Sequence, residues 1–232
     1  MKVAVSALAL VCAAIAFSAA DAGGAVPAAW VAYPDGGRIL ARSFCSGSLS
    51  SPAVVADSGA SPFAPSLALD SSGMPFVSWL DDDGDILFSG YDGSHWSLPE
   101  VVAQSAGEHR GIPALAVGDD AVIAWAEAGP GTFEDIFFSV RTGGRWSELS
   151  RAHERNDVPD IRPSVIAVAG GAYSIRWKSF DGRGYVERTT AVSIAPLARG
   201  ETPQGLFDRV CNAQLPLETA LAWRGADGFP RS

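Results

Sequence analysis

The sequence predicts an all-β fold built from a repeated four-stranded unit, and three observations carry that prediction. Five tryptophans, Trp30, Trp79, Trp125, Trp177 and Trp223, recur at intervals of 46 to 52 residues. Each of the middle three ends a β-rich run: "PFVSW", "VIAW" and "YSIRW". Turns rich in Gly, Asp and Pro separate such runs, among them "DDDGD", "YDG", "TGG" and "FDG". Aromatic and β-branched residues suit a pleated, half-buried surface, and Asp-Gly suits a turn that needs positive φ. Helical periodicity is weak between Gly23 and Gly200.

The units follow in order. The first, about 23–60, holds "PAAW" and "RILARS". The second, about 61–108, holds "PSLALD" from Pro65, "PFVSW", "DILFS" from Asp85 and "SGYDGSHWS" from Ser89. The third, about 109–158, repeats this as "PALAVG", "VIAW", "DIFFS" and "SVRTGGRWS". The fourth, about 159–200, has "PSVIAVAG", "YSIRW" and "GYVERT". Four strands in about 40–50 residues is the pattern of a β-propeller blade. A blade cannot cover its own two faces, so the recurring tryptophans are expected between adjacent blades. The expectation is one propeller domain over 23–232, with about four blades.

The first unit lacks a "PSLALD"-like inner strand. The segment "LFDRVC" (206–211) suits that place and would join the chain ends in one sheet. A Cys45–Cys211 disulfide would lock the join. It closes a loop of about 166 residues, for roughly 4–5 kcal/mol on the chain-entropy model. Three alternatives stand beside this within the closing segment 201–232. Trp223 could begin a fifth repeat. "PLETALAW" could be a short helix with Pro216 in its first turn. The ring could also stay open, its edge pairing with another copy.

The N-terminus reads as a leader: Met1-Lys2, an uncharged apolar run, then "SAADA". Cleavage after Ala22 is expected, with Ala20 as the alternative site. The run is short for a membrane span, which needs about 20 apolar residues. The expectation is a secreted or periplasmic protein with no span in the mature chain. Net charge is −9, and lysine occurs only at Lys2 and Lys178. That balance argues against nucleic acid and anionic membrane as partners.

"SGYDGSHW" resembles a degenerate Asp-box, the Ser-x-Asp-x-Gly-x-x-Trp hairpin of bacterial neuraminidase (sialidase) repeats. Ser89, Gly93 and Trp96 match, and the Asp is shifted to Asp92. In "SVRTGGRW", Ser139, Gly143 and Trp146 match and the Asp is absent. In "SFCSGSLS" only Ser43 and Gly47 match. The blade pattern also resembles sialidase-like and lectin propellers over residues 30–197. The resemblance implies a propeller in which this hairpin is a blade corner, remote from any site.

Candidate site residues are few. Arg110 and Arg162 lie just ahead of inner strands, where the resemblance places carboxylate-binding arginines. Their neighbours complete the candidate ligand face: Glu108, His109, Arg110, Asp160 and Arg162. A pairing of the arginines with Glu108 and Asp160 is the structural alternative. No third arginine, Tyr–Glu pair or motif-level acid of a sialidase can be assigned, so no catalytic residue is named. Asp81 to Asp85 lack the EF-hand Gly and closing Glu and read as a hairpin tip. His95, His109 and His153 share no metal-ligand spacing, so neither metal nor cofactor is expected. The resulting expectation is a non-catalytic binder, with glycan as the leading ligand class. A sialidase-type hydrolase or its remnant, and an envelope assembly module with a protein partner, are the alternatives.

Overall fold

The structure is a computed structural model that describes residues 14–17, 29–45, 48–57, 65–168, 171–193, 223–224 and 230–231. These residues form strands and turns without a helix. The first sheet contains β1 (Ala14–Phe17), β2 (Ala29–Asp35), β3 (Arg38–Cys45), β4 (Ser48–Leu49) and β5 (Ala53–Asp57). The second contains β6 (Ser66–Leu69), β7 (Pro75–Leu80), β8 (Ile86–Gly90) and β9 (Glu100–Ala103). The third contains β10 (His109–Arg110), β11 (Ala114–Val117), β12 (Ala121–Ala128), β13 (Asp135–Thr142), β14 (Arg145–Trp146) and β15 (Ser150–Arg151). The fourth contains β16 (Asp160–Val168), β17 (Ala172–Phe180) and β18 (Tyr185–Ser193). Strands β19 (Trp223–Arg224) and β20 (Pro230–Arg231) pair with each other. Trp223 therefore lies in a strand, and the rest of "PLETALAW" lies outside the described residues. Pairing is antiparallel throughout, and each of the first four sheets corresponds to one sequence repeat, except that β1 of the first sheet comes from the segment that the sequence reads as a leader.

β1 pairs with β2, Ala14 opposite Ala32 and Phe17 opposite Ala29. It takes the inner place that the sequence assigned to 206–211. That segment and Cys211 lie outside the described residues, and so does the proposed bridge.

The core lies between successive sheets. Trp30, Ile39 and Val55 of the first sheet pack on Val77 and Trp79 of the second. Leu80, Ile86 and Phe88 of the second pack on Leu115, Ile123 and Trp125 of the third. Val122, Ala124 and Ile136 of the third pack on Tyr173, Ile175 and Trp177 of the fourth. Strand β12 shows how one strand serves two interfaces. Successive side chains point to opposite faces. Ala121, Ile123 and Trp125 therefore join the core on one side, and Val122, Ala124 and Ala126 the core on the other. Trp79, Trp125 and Trp177 each fill the gap toward the preceding sheet, whereas Trp30 packs toward the following one.

The "SGYDGSHWS" stretch is a hairpin corner. Ser89 Oγ donates to the Ser97 carbonyl at 2.9 Å, and the Gly90 N–H donates to Ser97 Oγ at 3.1 Å. The third sheet repeats both distances, with Ser139 on the Ser147 carbonyl and Val140 on Ser147 Oγ. In the first sheet the Ser43 N–H donates to Ser50 Oγ at 3.0 Å. Ser43 thus matches Gly90, one place away from Ser89, the residue it matches by sequence. Arg42 fills the Ser89 role by donating Nε to the Ser50 carbonyl at 2.6 Å.

Candidate functional site

The candidate residues collect where β10, β13 and β16 begin. In the third sheet, His109 and Arg110 pair with Ala128 and Glu127, and Glu127 also pairs with Asp135. The Asp160 N–H donates to the Glu134 carbonyl at 2.8 Å, which fastens the start of the fourth sheet to the 129–134 loop. Glu108, His109, Arg110, Asp160 and Arg162 therefore belong to one end of two adjoining sheets, but their side chains have different roles.

Arg110 is enclosed, with its side chain 2% exposed. Its Nε donates to Glu127 Oε2 at 2.7 Å. The two terminal nitrogens donate to the carbonyls of Gly84, Ala103 and Gln104. This guanidinium stitches the second sheet to the third. Glu108 lies 3.9 Å from it and accepts the Ala106 N–H at 2.7 Å. That backbone donor, then a second one at Glu108 itself, holds the Glu108 carboxyl below the usual range, with a smaller contribution from Arg110. His109 is exposed.

Asp160 is fully buried. Arg162, two residues on, is exposed and has φ of 54°, the only positive φ outside glycine among the described residues. An L-residue rarely adopts this conformation, and a following proline disfavours helical backbone further. The register of β16 against β17 shifts between Ile161 and Ser164, so the strain sits in a bulge. Arg162 forms no ion pair among the described residues. The pairing with Asp160 that the sequence allowed is absent, because the bulge turns the exposed arginine away from a buried carboxylate.

Around Asp160 lie residues that the sequence reading did not join. Asp160 Oδ1 accepts the Trp177 indole N–H at 2.9 Å, and Oδ2 accepts Asn156 Nδ2 at 2.8 Å. The His153 ring stacks on Trp177 with centroids 5.2 Å apart. Its Nε2 lies 3.4 Å from Asp160 Oδ2 and 4.0 Å from Asp135 Oδ1. Asp135 Oδ2 pairs with Arg151 at 3.0 Å. The third sheet uses a related device: Trp125 donates its indole N–H to Glu127 at 2.9 Å, with Arg110 6.0 Å from the ring centroid. Trp30 and Trp79, their counterparts earlier in the chain, have buried indole nitrogens without a partner among the described residues.

A signal for Asp135 was present in the repeat. "DILFS" and "DIFFS" place Asp85 and Asp135 at equivalent positions. Asp85 accepts the Ser105 N–H at 2.7 Å, from the segment leading to the third sheet. Asp135 meets Arg151 and His153, on the way to the fourth. Phe133, 54% exposed, lies beside Glu134 and so near the start of β16. Chemically, this end offers an exposed aromatic ring, an exposed guanidinium and an exposed imidazole above a buried acidic cluster.

No protein-family model matches this sequence, and no curated protein matches it. Solved structures do. A Hadza microbial sialidase, Hz136, matches at 12% identity over 72% of this chain and 42% of its own, with a TM-score of 0.51. A family PL25 polysaccharide lyase, an ulvan lyase bound to -[GlcA(1-4)Rha3S]-, matches at 12% identity over 79% of this chain and 52% of its own, with a TM-score of 0.50. The fucose-recognising lectin of Aleuria aurantia, a six-bladed propeller, matches at 14% identity over 73% and 58%, with a TM-score of 0.42. The chain spans about half the length of the lyase and less of the sialidase. The fold is that of the β-propellers.

Proposed function

We propose that this chain is an exported, non-catalytic propeller that binds a glycan at the shared end of its third and fourth sheets. Arg162 carries the reading. It is exposed, lacks an ion pair among the described residues and is held at positive φ in a bulge. Backbone strain of this kind costs on the order of 1–3 kcal/mol and concentrates where a side chain must be aimed. A guanidinium so held suits bidentate recognition of an acidic sugar's carboxylate. Phe133 supplies an apolar ring against which a sugar face can pack. The Asp-box-like hairpins and the sugar-directed chemistry of the sialidase and ulvan lyase agree with a glycan ligand.

The hydrolase alternative has less support. Asp135 and Asp160 are the convergent carboxylates at this end, and Asp160 has no exposed surface to offer a glycosidic oxygen. Arg110, the other arginine that could have served a carboxylate, is enclosed by protein acceptors.

A glycan array with the purified exported protein tests the reading, with Arg162→Ala and Phe133→Ala beside it. Selective binding to acidic glycans, lost or weakened tenfold or more in Arg162→Ala, is the expected result. A blank array with folded protein overturns the ligand class. Binding that both variants retain overturns the site. Release of free sugar from a bound glycan overturns the non-catalytic assignment.

A further inference from the structure

We infer that Asp135, His153 and Asp160 form a site for one divalent transition-metal ion, with Zn²⁺ the best match. The inference rests on which atoms face inward, and it stands apart from glycan binding. His153 Nδ1 lies 2.7 Å from the Glu154 carbonyl, which can only accept, so Nδ1 carries a proton. The Ile136 N–H points at Nε2 from 3.3 Å, so Nε2 is an acceptor. Nε2 also lies 3.4 Å from Asp160 Oδ2 and 4.0 Å from Asp135 Oδ1, so an ion placed among the three would displace only the long Ile136 contact. One ligand atom from each residue lies within 4.8 Å of the others. Three acceptor atoms thus converge; the Ile136 N–H reaches Nε2, and Asn156 Nδ2 reaches Asp160 Oδ2 at 2.8 Å, on a carboxylate oxygen that keeps a second lone pair for a metal.

The charge balance points the same way. Asp135 has Arg151 as counter-charge. Asp160 is fully buried, and the donors that reach it, Trp177 and Asn156, are neutral. A buried carboxylate without a cation is costly, and such groups are paired or bind metal. The outer contacts are those a metal site needs. Ligating histidines almost always donate the second ring N–H to a carbonyl or carboxylate, and ligating carboxylates are themselves hydrogen-bonded. Here the Glu154 carbonyl, Arg151, Trp177 and Asn156 fill those places.

One imidazole and two carboxylates form a borderline donor set, which suits Zn²⁺ better than an ion needing six or more oxygens. Ligand atoms about 2.0–2.1 Å from a tetrahedral ion lie about 3.3 Å apart. The His153–Asp160 separation already matches. A small inward movement of Asp135 closes the rest, leaving a fourth position for water.

The rival arrangement is an imidazolium. A proton on Nε2 would point at Asp160 and, like a bound metal ion, would take the Nε2 lone pair from the Ile136 N–H. The experiment separates the two. Purified protein is stripped with a chelator and titrated with Zn²⁺ alone, following bound metal by mass spectrometry and Tm by calorimetry. Co²⁺ is then substituted and its visible absorption recorded. The expected result is one equivalent bound, a Tm rise of roughly 5 °C at a hundredfold excess over Kd, and Co²⁺ bands of a nitrogen- and oxygen-ligated ion. Asp135→Asn and His153→Gln should lose at least tenfold in Zn²⁺ affinity. Wild-type protein that takes up no Zn²⁺, or keeps its Tm unchanged, overturns the site and leaves the imidazolium. Folded variants that bind Zn²⁺ as wild type also overturn it. Should His153→Gln fail to fold, Asp135→Asn and the wild-type Co²⁺ spectrum decide the matter alone.

Discussion

Arg141 grips Glu100 across the boundary between the second and third sheets. Its Nε donates to Glu100 Oε2 at 3.0 Å and its Nη2 to Oε1 at 2.8 Å. The Trp146 indole N–H also donates to Oε2, at 3.0 Å. A planar fork on a carboxylate fixes both distance and orientation. Both side chains are about 30% exposed, so water weakens the charge contribution. Glu100→Ala should cost about 1–2 kcal/mol and lower Tm by roughly 3–6 °C. A double-mutant cycle with Arg141→Ala checks this. Additive effects would show that the pair is incidental.

Tyr173 joins the third and fourth sheets by donating its hydroxyl to the Asp120 carbonyl at 2.7 Å. Burial pushes its pKa up to about 12. Tyr173 should therefore stay protonated to the alkaline limit of folding, and absorbance titration at 295 nm in Tyr173→Phe should lack only the last-titrating tyrosine. The same variant leaves the Asp120 carbonyl with the Gly118 N–H alone, at 2.8 Å, for a loss of about 1 kcal/mol.

Gly90 tests packing alone. A Cβ there would stand 2.5 Å from Phe76 Cε1. Phe76 is itself stacked on Phe88, with centroids 5.7 Å apart. Gly90→Ala should cost about 1–3 kcal/mol by overpacking. Phe76→Leu in the same chain should recover part of that loss. Urea denaturation of the single and double variants measures both.

Acid unfolding depends on turn carboxylates. The His95 and Ser94 N–H groups hold the Asp92 carboxyl below the usual range, and those of Arg183 and Gly184 do the same for Asp181. A depressed folded pKa means stability that is present above the unfolded value, about 3.9, and lost as pH falls through the folded one. Asp92→Asn and Asp181→Asn should lower Tm at pH 7 and flatten its decline below pH 4. Asp81 is opposite in sign. Burial raises its pKa, assisted by Asp85 and Asp83 and opposed by backbone N–H groups. Asp81→Asn, which keeps an acceptor for the Asp83 and Asp85 N–H groups, should not lower Tm at pH 7. Calorimetry across pH 2–8 reads all three.

The strands were legible because two periods coincide in the sequence. Alternation marks each strand, and the tryptophan interval marks each sheet. "VIAW" became the middle of a strand buried on both faces, as a blade between two neighbours requires. The site was legible only in part. Arg110 and Arg162 look alike in sequence, each preceding an inner strand. What separates them is a bulge at Pro163 and a set of carbonyls from the preceding sheet around Arg110, neither of which a local pattern encodes. The Asp135, His153 and Asp160 cluster draws on two strands and the loop before β16. No single motif spacing contains it. The one-place offset at Ser43 arose because hydrogen-bond equivalence follows Ser50, while the sequence match followed the first serine.

Four bonds between sheets share a reach, beside the shorter ones that Arg110 and the Asp160 N–H make at the sheet ends. Leu115 to Ser66 spans 49 residues, Arg141 to Glu100 spans 41, Trp146 to Glu100 spans 46 and Tyr173 to Asp120 spans 53. Each equals about one repeat. The hairpin corners, by contrast, close over seven or eight residues. Coupling of this form resembles a row of dominoes, each piece sensing only the next. Loss of one sheet exposes two flanks while more distant sheets keep all their partners. A whole unit added or removed at a matching boundary would leave the surviving contacts intact, which gives such a chain a simple route to change in size.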